Sequence, residues 1–166
     1  RQGAMSELVT PHVALGGIQT AYVMPNLLPP VTSTEQALSY KQDLQKLAPN
    51  TEFLMTLYLH ENMLEEVEVE ENGEKKKVLR GVHEIRKASR AGIRGESYLM
   101  PCAAERRMTG NISGVKSYPR GVTTHSSTGI ESYEPYYPVF RALEEEGMVL
   151  NLHGEVPSDD AEVRRS

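Results

Sequence analysis

Residues 114–155 read GVKSYPRGVTTHSSTGIESYEPYYPVFRALEEEGMVLNLHGE, and this stretch decides the fold class. It begins with a short segment at 114–118 that is expected to form a strand ending at Pro119, and it continues through a loop rich in glycine, serine and threonine at 120–133. A helix is expected over 134–146, because its prolines are confined to the first turns, where a helix tolerates them. An apolar run follows at 148–152. A strand, a helix and a strand in this order predict a βαβ unit with parallel strands.

The same alternation extends back towards the beginning of the chain. Apolar periodicity predicts helices over 5–15, 35–48 and 78–91 and strands over 18–24 and 52–59. Ser33 or Thr34 can cap the second of these helices. The strand at 52–59 is apolar almost throughout, which is typical of a parallel strand buried on both faces. The pattern predicts an α/β fold with four parallel strands, either a small open sheet or half of a (β/α)8 barrel.

Composition narrows the classes of function. The 166 residues carry 18 Lys and Arg against 23 Asp and Glu, so the net charge is −5. A nucleic-acid partner is not expected, because there is no basic excess for phosphate backbones. No apolar run approaches about 18 residues, so no membrane partner is expected either. A single cysteine, together with a first stretch that has no signal-peptide pattern, predicts a cytoplasmic protein.

Two segments depart from the α/β pattern. Residues 61–80 pass from an acidic to a basic half around Asn72-Gly73, a turn signal, and predict a charged surface hairpin. Residues 94–113 hold the only cysteine and show no clear period. We therefore interpret 1–166 as one incomplete barrel domain with a charged excursion at 61–80 and an atypical insertion at about 94–113.

Polar side chains at the carboxyl ends of strands are the first candidates for chemistry, because function gathers there in parallel α/β folds. The sequence places Asn26, Lys116, His153 and Glu155 at or near such ends. A lysine within an apolar strand is costly unless its charge is removed or paired. A histidine at a strand end suits a metal ion or proton transfer. From the residues alone, an ion-paired lysine and a merely hydrogen-bonded histidine remain open alternatives.

The remaining candidates are weaker. The other histidines have no metal-ligand spacing, and surface or core roles are expected for His12, His60, His83 and His125. Cys102 has no identifiable base beside it, so a nucleophilic role is not expected. The sequence contains no nucleotide-binding glycine motif and no nucleophile elbow.

Three long blocks carry a resemblance to a known family. They are YVMPNLLPPVTSTEQALSYK at 22–41, GVKSYPRGVTTHSSTGIESYEPYYPVF at 114–140 and VLNLHGEVPSD at 149–159. In this order they resemble dihydroorotase, in the short stand-alone form found in bacteria and fungi. The resemblance implies a metal-dependent amidohydrolase with a (β/α)8 TIM barrel. It further implies a hydrolase that interconverts N-carbamoyl-L-aspartate and L-dihydroorotate in pyrimidine biosynthesis.

The resemblance assigns metal ligands. Lys116 matches the lysine that takes up carbon dioxide, and the resulting carbamate bridges two zinc ions. His153 matches a histidine ligand of the second zinc. In the family's mechanism a metal-bridging hydroxide attacks the ring amide carbonyl, while the zinc ions polarise that carbonyl and lower the pKa of bound water.

The resemblance also assigns substrate-binding residues. Asn26 matches the side chain that binds the substrate carboxylate, and Arg1 matches an arginine that pairs with the same carboxylate. Thr123 and Thr124 match threonines of a mobile loop that closes over substrate. The implied partner is carbamoyl aspartate or dihydroorotate, and a homodimer is a further implication.

Other parts of the family's site would lie outside these 166 residues. Its HxH zinc ligands would precede Arg1, and a further histidine ligand and a catalytic aspartate would follow residue 166. The 166 residues on their own are therefore expected to be inactive, with Lys116 and His153 as two of the metal ligands. A non-catalytic degenerate barrel fragment or interaction module is the alternative function, and a hydantoinase-like amidohydrolase is a second alternative.

The insertion leads to a prediction about the transcript. In the family the helix ending in AGI runs almost directly into GVKSYP, and such connections usually have about 2–6 residues. Here residues 94–113 intervene. Gly95-Glu96-Ser97 can be encoded with GTGAGT, a typical intron start, and Ile112-Ser113 with the CAG of an intron end.

The segment is either a genuine surface insertion or translated intron, and we predict that residues from about 95 to 112 are translated intron. Sequencing of transcripts should yield reads that join AGI almost directly to GVKSYP. Abundant reads that retain the segment would contradict the prediction.

Overall fold

A computed structural model of the chain describes residues 3–71, 73–92 and 112–155. The strands are β1 (Thr20–Val23), β2 (Glu52–Tyr58), β3 (Glu66–Glu71), β4 (Glu74–Leu79), β5 (Ile112–Ser117) and β6 (Val149–Leu152). The helices are α1 (Ala4–Val9), α2 (His12–Leu15), α3 (Thr34–Leu47), α4 (Arg80–Gly92) and α5 (Tyr137–Glu145). Short 3-10 turns lie at Glu61–Leu64 and Glu134–Tyr136.

Four strands form a parallel sheet in the order β1-β2-β5-β6, and β3 and β4 form a separate antiparallel pair. The predicted parallel α/β architecture is therefore confirmed. Strand β5 begins at Ile112, two residues before the expected start at Gly114. The end of the expected insertion is thus part of the sheet, while its other residues lie outside the described ranges.

The helices follow their capping signals. The Ser33 hydroxyl accepts a hydrogen bond from the Gln36 amide, and the Gln36 side chain accepts one in return from the Ser33 amide, so α3 begins with a complete capping box. The helix expected over 5–15 is instead two short helices, because Pro11 has no amide hydrogen to continue the first one. The helix expected from residue 78 begins at Arg80, since Val78 and Leu79 pair within the hairpin.

The hydrophobic core lies between the sheet and its helices. Alternate residues of β2, Phe53, Met55 and Leu57, are almost fully buried and belong to it. Ile85 on α4 and Val139 on α5 pack into the same core with no exposed surface. Because side chains alternate across a strand, the other face of the sheet is free to carry polar groups.

The charged excursion folds as the expected hairpin. Strands β3 and β4 pair antiparallel, with Glu68 opposite Lys77 and Val67 opposite Val78. Its base is closed by the Arg80 amide, which donates to the Glu65 carbonyl at 2.7 Å, and by an ion pair of the same two residues. None of the helices within the described ranges is long and apolar enough to cross a membrane.

Strand register brings the polar face together. Tyr58 of β2 pairs with Lys116 of β5, which pairs with Asn151 of β6. The register of β2 and β5 shifts between Met55 and Thr56, opposite Ile112 and Gly114. This bulge places one extra residue, Ser113, in β5, three residues before Lys116.

Gly114 sets how closely β5 and β6 approach, and it gives a prediction. A Cβ atom there would lie 2.2 Å from the Val149 carbonyl oxygen. Gly114→Ala should therefore separate the two strands and reduce the free energy of unfolding by about 3 kcal/mol or more, the upper end of overpacking effects. Urea unfolding followed by circular dichroism measures this.

Gly154→Ala is the matched control, because no atom lies within 4 Å of a Cβ built at that position. It should change stability by less than about 0.5 kcal/mol. Equal stability of the two variants would contradict the prediction.

Candidate functional site

The carboxyl ends of β1, β5 and β6 deliver three of the predicted site residues to one edge of the sheet. Asn26 follows β1, Lys116 lies near the end of β5, and His153 directly follows β6. Tyr118 links them, because its ring or hydroxyl contacts all three side chains. Arg1 lies outside the described residues, so its predicted place beside Asn26 stays a prediction.

Lys116 is enclosed at the centre of this edge. The residue is 9% exposed, and its Nζ donates a hydrogen bond to the Leu152 carbonyl at 3.0 Å. The same nitrogen lies 5.1 Å from the centre of the Tyr118 ring. Within the described ranges no carboxylate pairs with it.

Burial lowers the pKa of Lys116 below that of an ordinary lysine. Removal from water disfavours the charged form of an amine, and no anion within 3–71, 73–92 and 112–155 restores it. A larger fraction of this amine is therefore neutral at a given pH than for a lysine in water. The neutral amine is the nucleophilic form, which is the form that can react with carbon dioxide.

His153 is held in place by its backbone and by its ring. Its amide donates to the Ser117 carbonyl at 3.1 Å, which continues the β5–β6 ladder. The ring packs against Tyr118 with centres 5.5 Å apart, and its side chain is 26% exposed. The Nε2 atom lies 2.7 Å from a carboxylate oxygen of Glu155. The histidine is thus oriented and half-buried, with one ring nitrogen engaged by an acid.

An aromatic cluster that the sequence analysis did not single out surrounds these groups. The Tyr118 ring lies 5.1 Å from the Tyr58 ring, which lies 6.0 Å from His60. Burial, with a smaller contribution from Tyr58, raises the pKa of Tyr118 to about 12. The Tyr118 hydroxyl therefore remains a hydrogen-bond donor. Its position two residues after Lys116, on the same face of the chain, is the signal that would have identified it.

Asn26 is bound to the loop that follows β5. Its Nδ2 donates to the Thr124 carbonyl at 3.1 Å, and its Oδ1 accepts from the Tyr118 hydroxyl at 3.1 Å. Nδ1 of His125 lies 3.1 Å from the Asn26 carbonyl, an acceptor, so Nδ1 carries the hydrogen. The structure thus brings Asn26 and Thr124 together, and it gives His125 a contact in the site that sequence spacing did not indicate.

The loop over 119–133 has its own internal support. The Ser126 hydroxyl donates to the Thr123 carbonyl at 2.6 Å and accepts from the Thr123 amide at 2.9 Å. Gly129 packs so closely that a Cβ there would lie 2.5 Å from the Tyr118 carbonyl oxygen. His125 has a φ of 57°, a conformation that non-glycine residues seldom adopt and that clusters at functional sites.

The described residues do not by themselves form a metal centre. Within these ranges no group of three or more His, Cys, Asp or Glu side chains is placed to hold a metal ion. Lys116 and His153 are two donors on neighbouring strands, whereas a structural or catalytic zinc has at least about three protein ligands. The two zinc ions that the resemblance implies therefore do not fit this set of residues alone.

A cavity of about 710 Å³ lies elsewhere, between α1, α3 and residues 27–31. Of its charged residues, Glu35 pairs with Lys87 and Asp43 pairs with Lys46. Neither Lys116 nor His153 lines it. The candidate site is therefore the strand-end cluster and not this cavity.

Comparison with known proteins finds one recurrent relationship, although no family model matches the chain. The dihydroorotase of Mycosarcoma maydis is 48% identical over 159 residues, which are 96% of this chain and 31% of that protein. The probable dihydroorotase of Schizosaccharomyces pombe is 42% identical, over 95% of this chain and 36% of that protein. The dihydroorotase of Saccharomyces cerevisiae is 41% identical, over 95% and 34%. The chain thus spans about a third of the length of the curated relatives it matches.

Solved structures give the same relationship. A crystal structure of the Saccharomyces cerevisiae dihydroorotase in complex with 5-fluoroorotic acid superposes with a TM-score of 0.71 and 39% identity, over 95% of this chain and 34% of that one. The Campylobacter jejuni dihydroorotase superposes with a TM-score of 0.63 and 25% identity, over 95% and 36%. These neighbours make the four-stranded sheet part of a TIM barrel, so the half-barrel alternative is confirmed over the small open sheet.

The lowered pKa of Lys116 gives a prediction about stability and pH. In the window between the folded pKa and the ordinary value of 10.5, the unfolded chain binds more protons, so stability rises with pH there. Below that window the folded protein must bear a buried charge. Lys116→Met should remove this burden and raise the free energy of unfolding at pH 7 by about 1 kcal/mol, as expected when a functional group is replaced by an apolar one. The gain should shrink as the pH rises through the window.

Urea unfolding at several pH values measures the effect. Lys46→Met is the control, because Lys46 forms an exposed ion pair with Asp43 and such pairs contribute little. A Lys116→Met variant that is less stable than the parent at pH 7, or a gain that does not change with pH, would contradict the prediction.

Proposed function

Because the chain is a relative of dihydroorotases over about a third of their length, we propose that it supplies one segment of a dihydroorotase active site. The proposed reaction is the interconversion of N-carbamoyl-L-aspartate and L-dihydroorotate. The observation that carries the proposal is the buried Lys116 with a lowered pKa, beside His153 and joined to Asn26 through Tyr118. This is the arrangement in which a lysine can serve as a nucleophile or a carbamate and a neighbouring amide can bind substrate.

Lys116 is proposed as the carbamylated lysine. Its neutral amine nitrogen forms a bond to the carbon of carbon dioxide as one C=O π bond opens, and the nitrogen releases one proton to solvent, so that a neutral amine becomes an anion with two oxygen donors. Burial supports this step because it increases the neutral fraction of the amine. The Leu152 carbonyl, 3.0 Å from Nζ, accepts an N–H of the amine and aligns it along the strand end.

Asn26 is proposed to bind the carboxylate of the substrate. Its Nδ2 has two hydrogens, and only one is needed for the Thr124 carbonyl at 3.1 Å. Thr123 and Thr124 are proposed to close over the bound molecule, and Arg1 to pair with the same carboxylate. The loop's contacts with Asn26 support the first of these two roles.

Zinc is the proposed metal, with Lys116 and His153 among its ligands. The described residues supply two donors of a site that needs more, so no step of the reaction is derived through zinc. For the same reason the 166 residues alone are proposed to be inactive. The alternative function is a non-catalytic barrel fragment or interaction module. The predicted homodimer and cytoplasmic location stay predictions.

A chimeric enzyme tests the proposal. The chain should replace the matched third of the Saccharomyces cerevisiae dihydroorotase, to which it is 41% identical, with and without residues 94–111. If the segment is competent, at least one chimera should hydrolyse dihydroorotate, because each proposed ligand then has its partners. Lys116→Ala in the active chimera should reduce turnover to background, while Lys46→Ala, an exposed lysine, should retain it.

Two outcomes would count against the proposal. A folded chimera without activity in either form favours the non-catalytic alternative. An active chimera that tolerates Lys116→Ala in buffer free of added carboxylic acids would contradict the role of Lys116.

A further inference from the structure

We propose that Tyr118 is a positioning residue that fixes the side-chain amide of Asn26, so that its NH2 group faces the loop over 119–133 and a bound carboxylate together. The carboxylate part of this inference rests on the proposed function. The orientation of the Asn26 amide and its hydrogen bond to the loop do not rest on the proposed function, because both are observed in the chain without ligand.

One neighbour determines the orientation of the Asn26 amide, and a second neighbour holds it there. The Thr124 carbonyl can only accept a hydrogen bond, so the atom 3.1 Å from it must be Nδ2. The atom beside the Tyr118 hydroxyl is then Oδ1, at 3.1 Å, and the hydroxyl donates to it. The Thr124 contact specifies the orientation, because a flipped amide would place two oxygen atoms against each other there. The Tyr118 hydroxyl can donate or accept, and in this orientation it adds a second hydrogen bond that holds the amide in place.

The orientation matters because the NH2 group of the amide attracts an anion, whereas its carbonyl oxygen repels one. The second Nδ2 hydrogen has no partner among the described residues, and it can donate to a carboxylate oxygen. In the flipped orientation the carbonyl oxygen Oδ1 would meet the negative carboxylate instead. A hydrogen bond to a charged acceptor contributes about 1.5–3 kcal/mol, so the choice of orientation decides whether Asn26 helps or opposes binding.

Tyr118 is suited to this task because it is itself held firmly. The residue is 3% exposed, and its ring lies between those of Tyr58 and His153 at 5.1 and 5.5 Å. Its carbonyl accepts the Ile130 amide at 2.9 Å, which ties it to the far end of the loop. The Tyr118 hydroxyl is therefore held in a fixed position, and its hydrogen bond restrains the Asn26 side chain.

The loop shares this support. Asn26 gives a hydrogen bond to the Thr124 carbonyl and receives one from Nδ1 of His125 on its own carbonyl. His125 makes its contact with Asn26 in a backbone conformation of positive φ that is usually adopted by glycine. A ligand that orders Asn26 would order the loop, and a loosened Asn26 would release it.

Tyr118→Phe tests the inference, because it removes the hydroxyl and keeps the ring. The first measurement uses the 166-residue chain labelled with ¹⁵N and without ligand. We expect the Asn26 side-chain NH2 signals to move towards those of a free amide. Hydrogen exchange at the Gly121 and Ser126 amides should rise about tenfold, corresponding to the loss of one hydrogen bond.

Tyr133→Phe is the matched control, since its hydroxyl contacts the Ser117 hydroxyl at 3.3 Å and does not touch Asn26. It should leave the Asn26 signals and the exchange rates unchanged. Unchanged Asn26 signals and exchange in Tyr118→Phe would overturn the inference. If Tyr118→Phe fails to fold, Asn26→Asp decides, because it replaces the donor to Thr124 with an acceptor. It should raise loop exchange in the same way, and unchanged exchange would overturn the inference.

The second measurement is a titration of the chimeric enzyme described above, as the parent, with N-carbamoyl-L-aspartate. We expect Tyr118→Phe to bind about tenfold more weakly than the parent, and Tyr133→Phe to bind equally well. Equal binding by Tyr118→Phe and the parent would overturn the carboxylate part of the inference. A folded chimera that does not bind the compound would count against the proposed function, whereas the measurement without ligand still decides the role of Tyr118.

Discussion

One row of paired residues across the sheet determines where everything at the strand ends lies. Tyr58, Lys116 and Asn151 are direct neighbours in the parallel register. Residues two positions further along each strand point to the same side, so Tyr118 and His153 follow from that row. The row in turn depends on the close approach of β5 and β6, which the missing side chain of Gly114 permits. A shift of this register by one residue would turn each of these side chains towards the helices.

The two faces of the sheet have opposite requirements. The face towards the helices is apolar and buries Phe53, Met55 and Leu57, which supplies hydrophobic stabilisation. The other face carries Lys116 and Asn151. The Nδ2 atom of Asn151 donates to the Tyr22 hydroxyl at 2.8 Å and to the Val115 carbonyl at 3.1 Å. Polar groups at such positions reduce stability unless each has a partner. Burial lowers the pKa of Lys116, and a perturbed pKa of this kind makes a residue a candidate for chemistry.

Sequence patterns predicted most of the fold and part of the site, for physical reasons that differ. Apolar periodicity identified all four parallel strands, and the cap at Ser33 marked the beginning of α3. Helix ends were harder to predict, because Pro11 divides the single helix expected over 5–15 into α1 and α2. Asn26, Lys116 and His153 could be singled out as candidates because the carboxyl ends of parallel strands meet at one edge, and the structure brings the three together there. The contact of His125 with Asn26 was missed, because it joins residues 99 positions apart and no spacing rule reaches that far.

The closed base of the hairpin at 66–79 separates this part of the chain from the rest. Because Arg80 returns to Glu65 through two contacts, the chain leaves and re-enters the sheet-and-helix body at almost the same point. The hairpin joins the carboxyl end of β2 to the beginning of α4, and Glu71 near its tip pairs with Arg90 of α4. Because its two ends are fixed at the base, the length and charge of the hairpin can vary without displacing Glu65 or Arg80. For the experimenter it offers a place to attach a fluorophore or an affinity peptide.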